Sequence, residues 1–459
     1  MPSLGLAMIV KNGAAGLADC LRSVRGIVGQ IVVVDTGSSD NSVEIARQWG
    51  AEVHETVWPD DFAAARNLSL SYMKTDWVLI LDDDEELDAE AARQIPALLA
   101  TTTASSFQME QRNYALHKGT VYGFTSAEKP NDNPPPRAKE AQVYADIPQT
   151  RLFRNDPRFR YTGRVHELVD ASIQQAGGIH QKSGFIIHHY GRITDTVEAL
   201  RHKAEMYFEL CKLKVKDDPE SPAGWDTLGS EYMSRNRYEE AIACFETAIR
   251  RHSRATVTYS SLVKAYLCLN QPEKALQTLG YYRPNDDFAS EYAEMQGVAL
   301  YHLKRFAEAR DAFLQCVGTT NDKSHIRSML GMTELRLGMT AQGLQRLQNS
   351  LALEPENLEC HESWYKGLLL AGRNAEAAEA ASQMAGKFRS PQNYLRASAL
   401  WTHIQNWPRA VDILRQGLAV FPCDASLSRA VAEICTQLEQ LQGPPAPPPE
   451  TPPETETHL

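Results

Sequence analysis

Apolar runs alternate with helix-like segments through the first third of the chain. Four short runs rich in β-branched residues, LAMIV, QIVVVD, AEVHETV and DWVLIL, have the length and character of buried strands. Between them, residues 16–26, 41–50 and 61–73 carry apolar positions at helical spacing. Strands that are apolar on both faces and separated by helices predict a parallel sheet covered by helices on each side.

The alternation stops after the fourth strand and its acidic end. Further strands, some of them antiparallel, are predicted over 105–115, 149–155, 158–169 and 184–190. A loop of about 30 residues around EKPNDNPPPRAKEAQ interrupts them, and we interpret it as an acceptor-binding loop because loops of this length commonly carry function. Residues 196–221 predict an amphipathic helix that joins the two halves of the chain.

The C-terminal part of the chain repeats itself at an offset of 34 residues. Small residues recur in phase at Ala241, Ala275, Ala309, Gly343, Ala377 and, one residue short of the next step, Ala410. Small residues at this spacing are typical of tetratricopeptide helix pairs, in which they let two helices approach closely. About six units over residues 222–440 predict an all-α superhelix that binds a protein or an extended peptide.

An array that only scaffolds or dimerises the chain is the alternative interpretation, which leaves a homo-oligomer open. After the repeats comes GPPAPPPETPPETETHL, a stretch dominated by proline and acidic or polar residues. Such a composition cannot bury a core, so residues 441–459 are predicted to be a disordered tail.

Composition narrows the classes of function. A net charge of -11 provides no basic stripe for phosphates, so we expect no nucleic-acid partner. No apolar run approaches the roughly 20 residues of a membrane-spanning helix, and the N-terminus lacks the features of a signal peptide. The eight cysteines are scattered without a CxxC pair, so neither a zinc nor a disulfide framework is predicted and a reducing, cytoplasmic location fits best.

The segment LDDDEELD places six acidic side chains within seven positions directly after a strand. In an extended strand end, Asp82 and Asp84 would point the same way and Asp83 the opposite way. Two carboxylates on one side suit Mg²⁺ or Mn²⁺, which prefer oxygen ligands, so Asp82 and Asp84 are predicted to bind a metal and Asp83 to be structural. A solvated helix start, where acidic residues are also favoured, is the interpretation for Glu85, Glu86 and Asp88.

Two further motifs lie at the same predicted sheet edge, where open α/β sheets bind ligands. Asp35 in VVVDTGSSD ends a strand, and its carboxylate could accept a hydrogen bond from a nucleobase or a ribose. Arg66 in FAAARN carries a guanidinium that suits a phosphate or a base carbonyl. An ordinary structural ion pair is the alternative role for Arg66.

Together, MIVKN, VVVDTGSSDNS, DDFAAARN and WVLILDDDEE resemble the family 2 glycosyltransferases of the GT-A fold over about residues 4–195. The chain is most similar to a branch that includes peptide glycosyltransferases of bacteriocin synthesis, and also to lipopolysaccharide-core glucosyltransferases. The resemblance implies an α/β GT-A nucleotide-sugar domain over 1–195, followed by the repeats. It also implies inverting transfer from a nucleotide diphosphate sugar, usually a UDP-sugar, with Mn²⁺ or Mg²⁺.

Carried over from the family, Asp84 would bind the metal directly and Asp82 would be a partner at the metal or the ribose. His189 in IIHHYG would complete the metal site or touch the diphosphate, since relatives show a similar HYG. Arg66 would contact the uridine or the phosphates, and Asp35 the nucleoside.

The backbone of Val10 and Lys11 would contact the base. Two departures from the family pattern leave the choice of nucleotide open. Thr36 stands where many relatives have a second carboxylate, and Gly13 stands where an acid commonly follows KN.

Inversion requires a base that takes the acceptor's proton during attack. We interpret Glu167 in GRVHELV as this base, with His166 oriented beside it; a structural ion pair is the alternative for Glu167. The sequence HELVD lacks the second histidine of HExxH, so it does not predict a zinc protease.

The preferred interpretation is that the chain is a glycosyltransferase whose repeats recruit a protein or peptide acceptor. One alternative is transfer to a lipopolysaccharide or another polysaccharide, with the repeats docking the enzyme to an assembly. Another is a non-catalytic repeat adaptor. The joint presence of Asp35, Arg66, Asp82 and Asp84 argues against the adaptor, because a decayed site should have lost at least one of them.

Overall fold

The computed structural model describes residues 1–116, 129–132, 134–194, 196–281, 288–319 and 322–442. Its contacts divide the chain into two compact units, Met1–Arg235 and Asn236–Leu459. The predicted tail lies outside the described residues except for its first two positions, and much of the predicted acceptor-binding loop also lies outside them.

The first unit is built on a mixed sheet. Its described strands are β1 (Leu4–Val10), β2 (Gln30–Asp35), β3 (Glu52–Glu55), β4 (Trp77–Ile80), β5 (Glu85–Leu87), β6 (Ser106–Ala115), β7 (Lys129–Pro130), β8 (Val143–Arg154) and β9 (His180–His189). They follow the order β3-β2-β1-β4-β8-β6-β9-β5, with β7 beside β8. The first four strands are parallel, as predicted, and β8 joins β4 in antiparallel orientation.

Helices cover both faces of this sheet. The described helices of this unit are α1 (Leu17–Ser23), α2 (Ser42–Gln48), α3 (Phe62–Ser71), α4 (Ala89–Thr101), α5 (Asp170–Gln175), α6 (Gly191–Thr194), α7 (Val197–Asp217) and α8 (Pro222–Ser234). Leu6 and Met8 of β1 pack into one apolar cluster with α1 and α4, while Ala7 packs into another with α3. Burial on both faces explains why the parallel strands are continuously apolar.

One predicted strand is wrong. Residues 158–169 form a loop that pairs only through an isolated bridge between Thr162 and Leu168. Gly163 and His166 both have positive φ, at 97° and 54°, so the backbone turns repeatedly and cannot extend a ladder. The apolar alternation of this segment reflects buried side chains such as Phe159 and Val165 rather than strand pairing.

The second unit is all helical. Its described helices are α9 (Tyr238–Arg250), α10 (Thr256–Cys268), α11 (Pro272–Tyr281), α12 (Ala289–His302), α13 (Phe306–Leu314), α14 (Ser324–Arg336), α15 (Thr340–Leu353), α16 (Leu358–Leu370), α17 (Asn374–Lys387), α18 (Pro391–His403), α19 (Trp407–Val420) and α20 (Ala425–Gln442). Small residues bring helices into backbone contact: a Cβ on Gly331 would lie 2.9 Å from the Gly343 carbonyl oxygen. Among the described helices, none combines the length and apolar character needed to cross a bilayer.

Candidate active site

The acidic run forms a tight turn after β4. The backbone N–H of Glu85 donates to the carbonyl of Asp82 at 3.1 Å, and β5 then pairs with β9. The chain is therefore not extended through Asp84, so strand alternation was the wrong reason for expecting Asp82 and Asp84 to point together. What orients each carboxylate is its own set of tertiary partners.

Asp82 is held by two arginines. Arg66 Nη2 donates to its Oδ1 at 2.9 Å, and Arg151 Nη2 donates to its Oδ2 at 3.3 Å. Burial alone would raise the pKa of Asp82, but Arg66 and Arg151 hold that pKa well below its ordinary range. Asp82 is thus a fixed, ionised carboxylate whose charge is largely balanced within the protein.

Asp84 lies beside His189, with 3.4 Å between Asp84 Oδ2 and His189 Nε2. The other ring nitrogen, Nδ1, lies 2.7 Å from Asn113 Oδ1, and the Asn113 amide is oriented by a bond from its Nδ2 to the Gln111 carbonyl. Because an amide oxygen only accepts, Nδ1 carries a proton. Burial opposes the positive charge of His189, but Asp84 raises the pKa of its ring, so a metal bound at Nε2 would replace a proton there.

The surroundings of this pair fit a divalent cation. A carboxylate oxygen and an imidazole nitrogen are common metal ligands, and a second partner that orients the histidine is typical of metal sites. Gly191 also approaches closely, because a Cβ there would overlap the Asp84 carboxylate. Asp84 and His189 therefore fit a metal directly, whereas each oxygen of Asp82 already accepts a bond from an arginine.

Asp83 packs against Gly13. A Cβ at position 13 would overlap the Asp83 carboxylate, so the absence of a side chain there makes room for it. Burial, together with the charges of Asp84 and Asp82, raises the pKa of Asp83 to about 7. Many relatives have an acidic residue at the position of Gly13. Here the carboxylate of Asp83, from the turn after β4, occupies the space that a side chain at position 13 would fill.

The helix-start interpretation is wrong for two of its three residues. Glu85 is completely buried in β5, where its carboxylate accepts from Arg151 Nη2 at 3.0 Å and from the backbone of Asp82 at 2.9 Å. Glu86 accepts from Arg137 Nη1 at 2.6 Å. Only Asp88 keeps the predicted role, since it accepts from the first-turn N–H groups of α4.

Arg66 connects the acidic turn to the predicted base. Its Nε donates to Glu167 Oε1 at 2.5 Å, across 101 positions of sequence, while its Nη2 holds Asp82. The Arg66 side chain is only 8% exposed, and its Nη1 is buried without a hydrogen-bond partner. Burial opposes the charge of Arg66, but Asp82 and Glu167 raise its pKa well above the ordinary value.

His166 is oriented by α7 and not by Glu167. Its ring stacks on Tyr207 at a centroid distance of 6.1 Å, and Tyr207 in turn stacks on Phe62 at 5.6 Å. Burial and the charge of Lys214 lower the pKa of His166, so the ring is neutral near neutral pH. The structure therefore brings Glu167 to the acidic turn and separates the role of His166 from it.

The predicted nucleoside contacts lie at the ends of β1 and β2. Asp35 Oδ1 accepts from the N–H groups of Gly37 and Ser38 at 2.9 Å each, whereas Oδ2 is buried without a partner. The Val10 carbonyl already accepts from Thr36 N at 2.9 Å and Thr36 Oγ1 at 3.1 Å. Since both lone pairs of that carbonyl are used, Val10 has little left to offer a base through its oxygen. Lys11 is exposed at the same edge.

Sequence reasoning missed Arg151 and Asn113. Arg151 lies in β8 and is 5% exposed; Asn113 lies in β6 and is 4% exposed. The available signal was a charged or amide residue at an inward position of an apolar strand, since such groups are rarely buried without a partner. The residue that each would meet depends on strand order, which the sequence did not reveal.

Comparison with known families agrees with this architecture. Residues 6–155 match the model of glycosyl transferase family 2. Residues 223–251 and 260–322 match tetratricopeptide repeat models. These matches confirm the expected combination of a family 2 glycosyltransferase domain with tetratricopeptide repeats.

Three relatives show how far the likeness extends. A TPR repeat-containing protein of Synechococcus elongatus is 34% identical over 236 residues, which is 50% of this chain and 52% of the relative. An uncharacterised glycosyltransferase of Rickettsia prowazekii is 35% identical over 213 residues, or 45% of this chain and 66% of the relative. The SPbeta prophage-derived glycosyltransferase SunS of Bacillus subtilis is 21% identical over 255 residues, which is 55% of this chain and 54% of the relative. The chain thus spans about half to two thirds of the length of these relatives.

Proposed function

We propose that this chain, which joins a family 2 glycosyltransferase domain to tetratricopeptide repeats, is a metal-dependent inverting glycosyltransferase with a protein or peptide acceptor. The observation that carries the proposal is the grouping of Asp84 and His189 with the chain of contacts from Asp82 through Arg66 to Glu167. Sugar transfer from a nucleotide diphosphate requires three parts: a pair of metal ligands, a cationic side chain that can bind phosphate, and a base.

The donor would lie across the ends of β1, β2 and β4. Asp35 Oδ2, Arg66 Nη1 and Arg151 Nε are all buried without hydrogen-bond partners. An unpaired buried polar atom costs free energy, so a ligand that pairs with it gains affinity. Asp35 suits the nucleoside, and the two guanidinium groups suit the diphosphate. A UDP-sugar is the proposed donor.

Asp84 and His189 would hold Mn²⁺ or Mg²⁺, with Asp82 close by. When bound, the ion would neutralise charge on the departing diphosphate. Arg66 and Arg151 stabilise the same charge and keep Asp82 ionised. The protein thereby surrounds the leaving group with cations before the sugar moves.

Glu167 would take the proton of the acceptor. Its Oε1 is held by Arg66, and its Oε2 accepts no hydrogen bond from the described residues. The bound oxygen fixes the carboxylate, and the second oxygen can face an acceptor hydroxyl, amine or thiol. The geometry supports this role for Glu167 and leaves His166 out of the proton transfer.

The test is hydrolysis and transfer by the full chain across a panel of nucleotide sugars, with and without Mn²⁺. Asp84→Asn should lower metal-dependent turnover at least about 100-fold, because it removes a ligand. Asp88→Asn is the matched control: it changes an acid of the same run that caps α4 and contacts His188 instead of His189, and turnover should persist. Turnover that ignores both Mn²⁺ and Asp84→Asn would contradict the metal site.

The acceptor class is tested with a radiolabelled donor and the same full chain. A peptide library and a lipopolysaccharide preparation are offered in parallel. Label in peptides supports the proposed acceptor, and label only in lipopolysaccharide supports the alternative glycosyltransferase. Absence of hydrolysis and transfer with every donor would favour the adaptor.

A further inference from the structure

Three metal-ligating side chains of different chemistry converge away from the acidic turn. His166 lies in the loop that carries Glu167, Cys211 lies on α7 and Glu231 lies on α8. One ligand atom from each residue lies within 4.8 Å of the ligand atoms of the other two. Among the described residues, no other three histidine, cysteine or acidic side chains come together within this distance.

We propose that His166, Cys211 and Glu231 form a Zn²⁺ site that fastens the Glu167 loop to α7 and α8. A thiolate, an imidazole and a carboxylate are the ligand types of protein zinc sites, and a water would take the fourth position. Mn²⁺ and Mg²⁺ prefer oxygen ligands, so this site and the Asp84 site would select different metals. Binding would release the thiol proton to solvent.

Hydrogen bonding does not explain why these side chains meet. Within the described part of the chain, neither the His166 ring nor the Cys211 thiol makes a side-chain hydrogen bond, although Cys211 is buried. Arg235 Nη1 donates to Glu231 Oε2 at 2.5 Å, which leaves Oε1 for a metal. Lys214 Nζ is directed to the Val165 carbonyl at 3.2 Å.

The local fold positions the three ligands. His166 has φ of 54°, a conformation that costs energy for a residue with a side chain, and its ring stacks on Tyr207 of α7. Phe208 of α7 packs edge-on against Tyr232 of α8 at 5.2 Å, so Cys211 and Glu231 come from two helices already in contact. The ligands are 45 and 20 positions apart, which is why no short zinc motif is visible in the sequence.

The experiment measures zinc in the full chain, purified from zinc-supplemented cells and washed with a mild chelator. We expect about one zinc ion per chain in the wild type and a loss of most of it in Cys211→Ser. Cys244→Ser is the control, since Cys244 is another buried free cysteine outside the cluster, and it should retain zinc. Asp84→Asn should also retain zinc, which separates this site from the proposed donor-metal site.

Cobalt substitution identifies the thiolate directly. Co²⁺ added to the metal-free chain should give a thiolate charge-transfer band that Cys211→Ser abolishes and Cys244→Ser preserves. If Cys211→Ser does not fold, Glu231→Gln replaces it and should weaken zinc binding at least about tenfold. A wild type without bound zinc and without the cobalt band overturns the proposal, as does a folded Cys211→Ser that retains both.

Discussion

Two glutamates, one in each unit, are completely buried and paired with arginine, yet their networks end differently. In the repeats, Arg346 Nε donates to both oxygens of Glu334 at 2.9 and 2.8 Å, and Arg310 adds an ion pair at 3.7 Å. Both arginines converge on this one carboxylate. Arg310 also pairs with its exposed neighbour Asp311 at 3.8 Å, so the network ends at the surface of its own helix.

In the first unit the network continues beyond its glutamate. Glu85 pairs with Arg151, which reaches Asp82; Asp82 pairs with Arg66, which reaches Glu167. Atoms of both arginines remain without hydrogen bonds inside this buried chain. Burial of a charge therefore does not by itself mark a functional site. Unpaired donors do not mark one either, because Arg310 Nε in the repeats is also buried without a hydrogen-bond partner. What distinguishes the first unit is that its network joins two segments that are distant in sequence, the turn at Asp82 and the loop at Glu167.

The largest expected effect separates stability from activity. Glu334→Gln breaks a buried ion pair and should cost about 3–5 kcal/mol of unfolding free energy, measured by urea denaturation of the repeat transition. Donor hydrolysis by the folded variant should not change. Glu308→Gln, in an exposed pair with Arg305, is the control and should leave the free energy of unfolding nearly unchanged. Equal costs for the two variants would contradict the structural role of Glu334.

Arg66→Lys should have the next largest effect. A lysine cannot donate to Asp82 and Glu167 in one fixed fork, so kcat/KM for donor hydrolysis should fall roughly 10²–10³-fold. Arg346→Lys makes the same change in the closed network of the repeats and should leave hydrolysis intact. If Arg66→Lys hydrolyses donor at the wild-type rate, the contacts of Arg66 with Asp82 and Glu167 do not contribute to catalysis.

Asn113→Ala should weaken Mn²⁺ binding by about 10–100-fold, because it removes the acceptor that orients His189. Isothermal titration with Mn²⁺ measures this directly. Asn393→Ala is the matched control in the repeats, where Asn393 is also buried and donates to the Phe388 carbonyl at 2.6 Å. Unchanged Mn²⁺ affinity in Asn113→Ala would remove His189 from the metal site.

The smallest effect is a pH dependence. The raised pKa of Asp83, about 7, lies above the ordinary aspartate value of about 3.9. Between these values the folded state holds a proton that the unfolded state has lost, so stability from this group is full below about pH 4 and falls as pH rises to 7. Because Asp83 is partly exposed, the change is on the order of 1 kcal/mol.

Melting temperatures of the wild type and Asp83→Asn, taken in chelator between pH 4 and 8, measure this difference. The gap between the two curves should widen as pH rises. A difference in melting temperature that stays constant with pH would show that the pKa of Asp83 is not raised. Added Mn²⁺ should reduce the pH dependence, because the ion offsets the negative charge of the acidic turn.

Local patterns predicted much of the architecture. The four parallel strands, their helices and the tetratricopeptide array all follow from periodicity and spacing, which depend on near neighbours in sequence. The same reasoning failed where burial came from distant partners. Residues 158–169 alternate like a strand but pack as a loop, and Glu85 looks solvated but is buried by Arg151, 66 positions away.

By itself, the sequence determined the two kinds of domain, the acidic run, and the presence of Asp35, Arg66 and Glu167 as candidates. Only the tertiary structure decided that Arg66 joins Glu167 to Asp82, that Asn113 orients His189, and that His166 turns towards Cys211. The physical reason is that these contacts depend on strand order and on the turns that follow the strands. Both are set by the packing of the whole unit and not by any short stretch of residues.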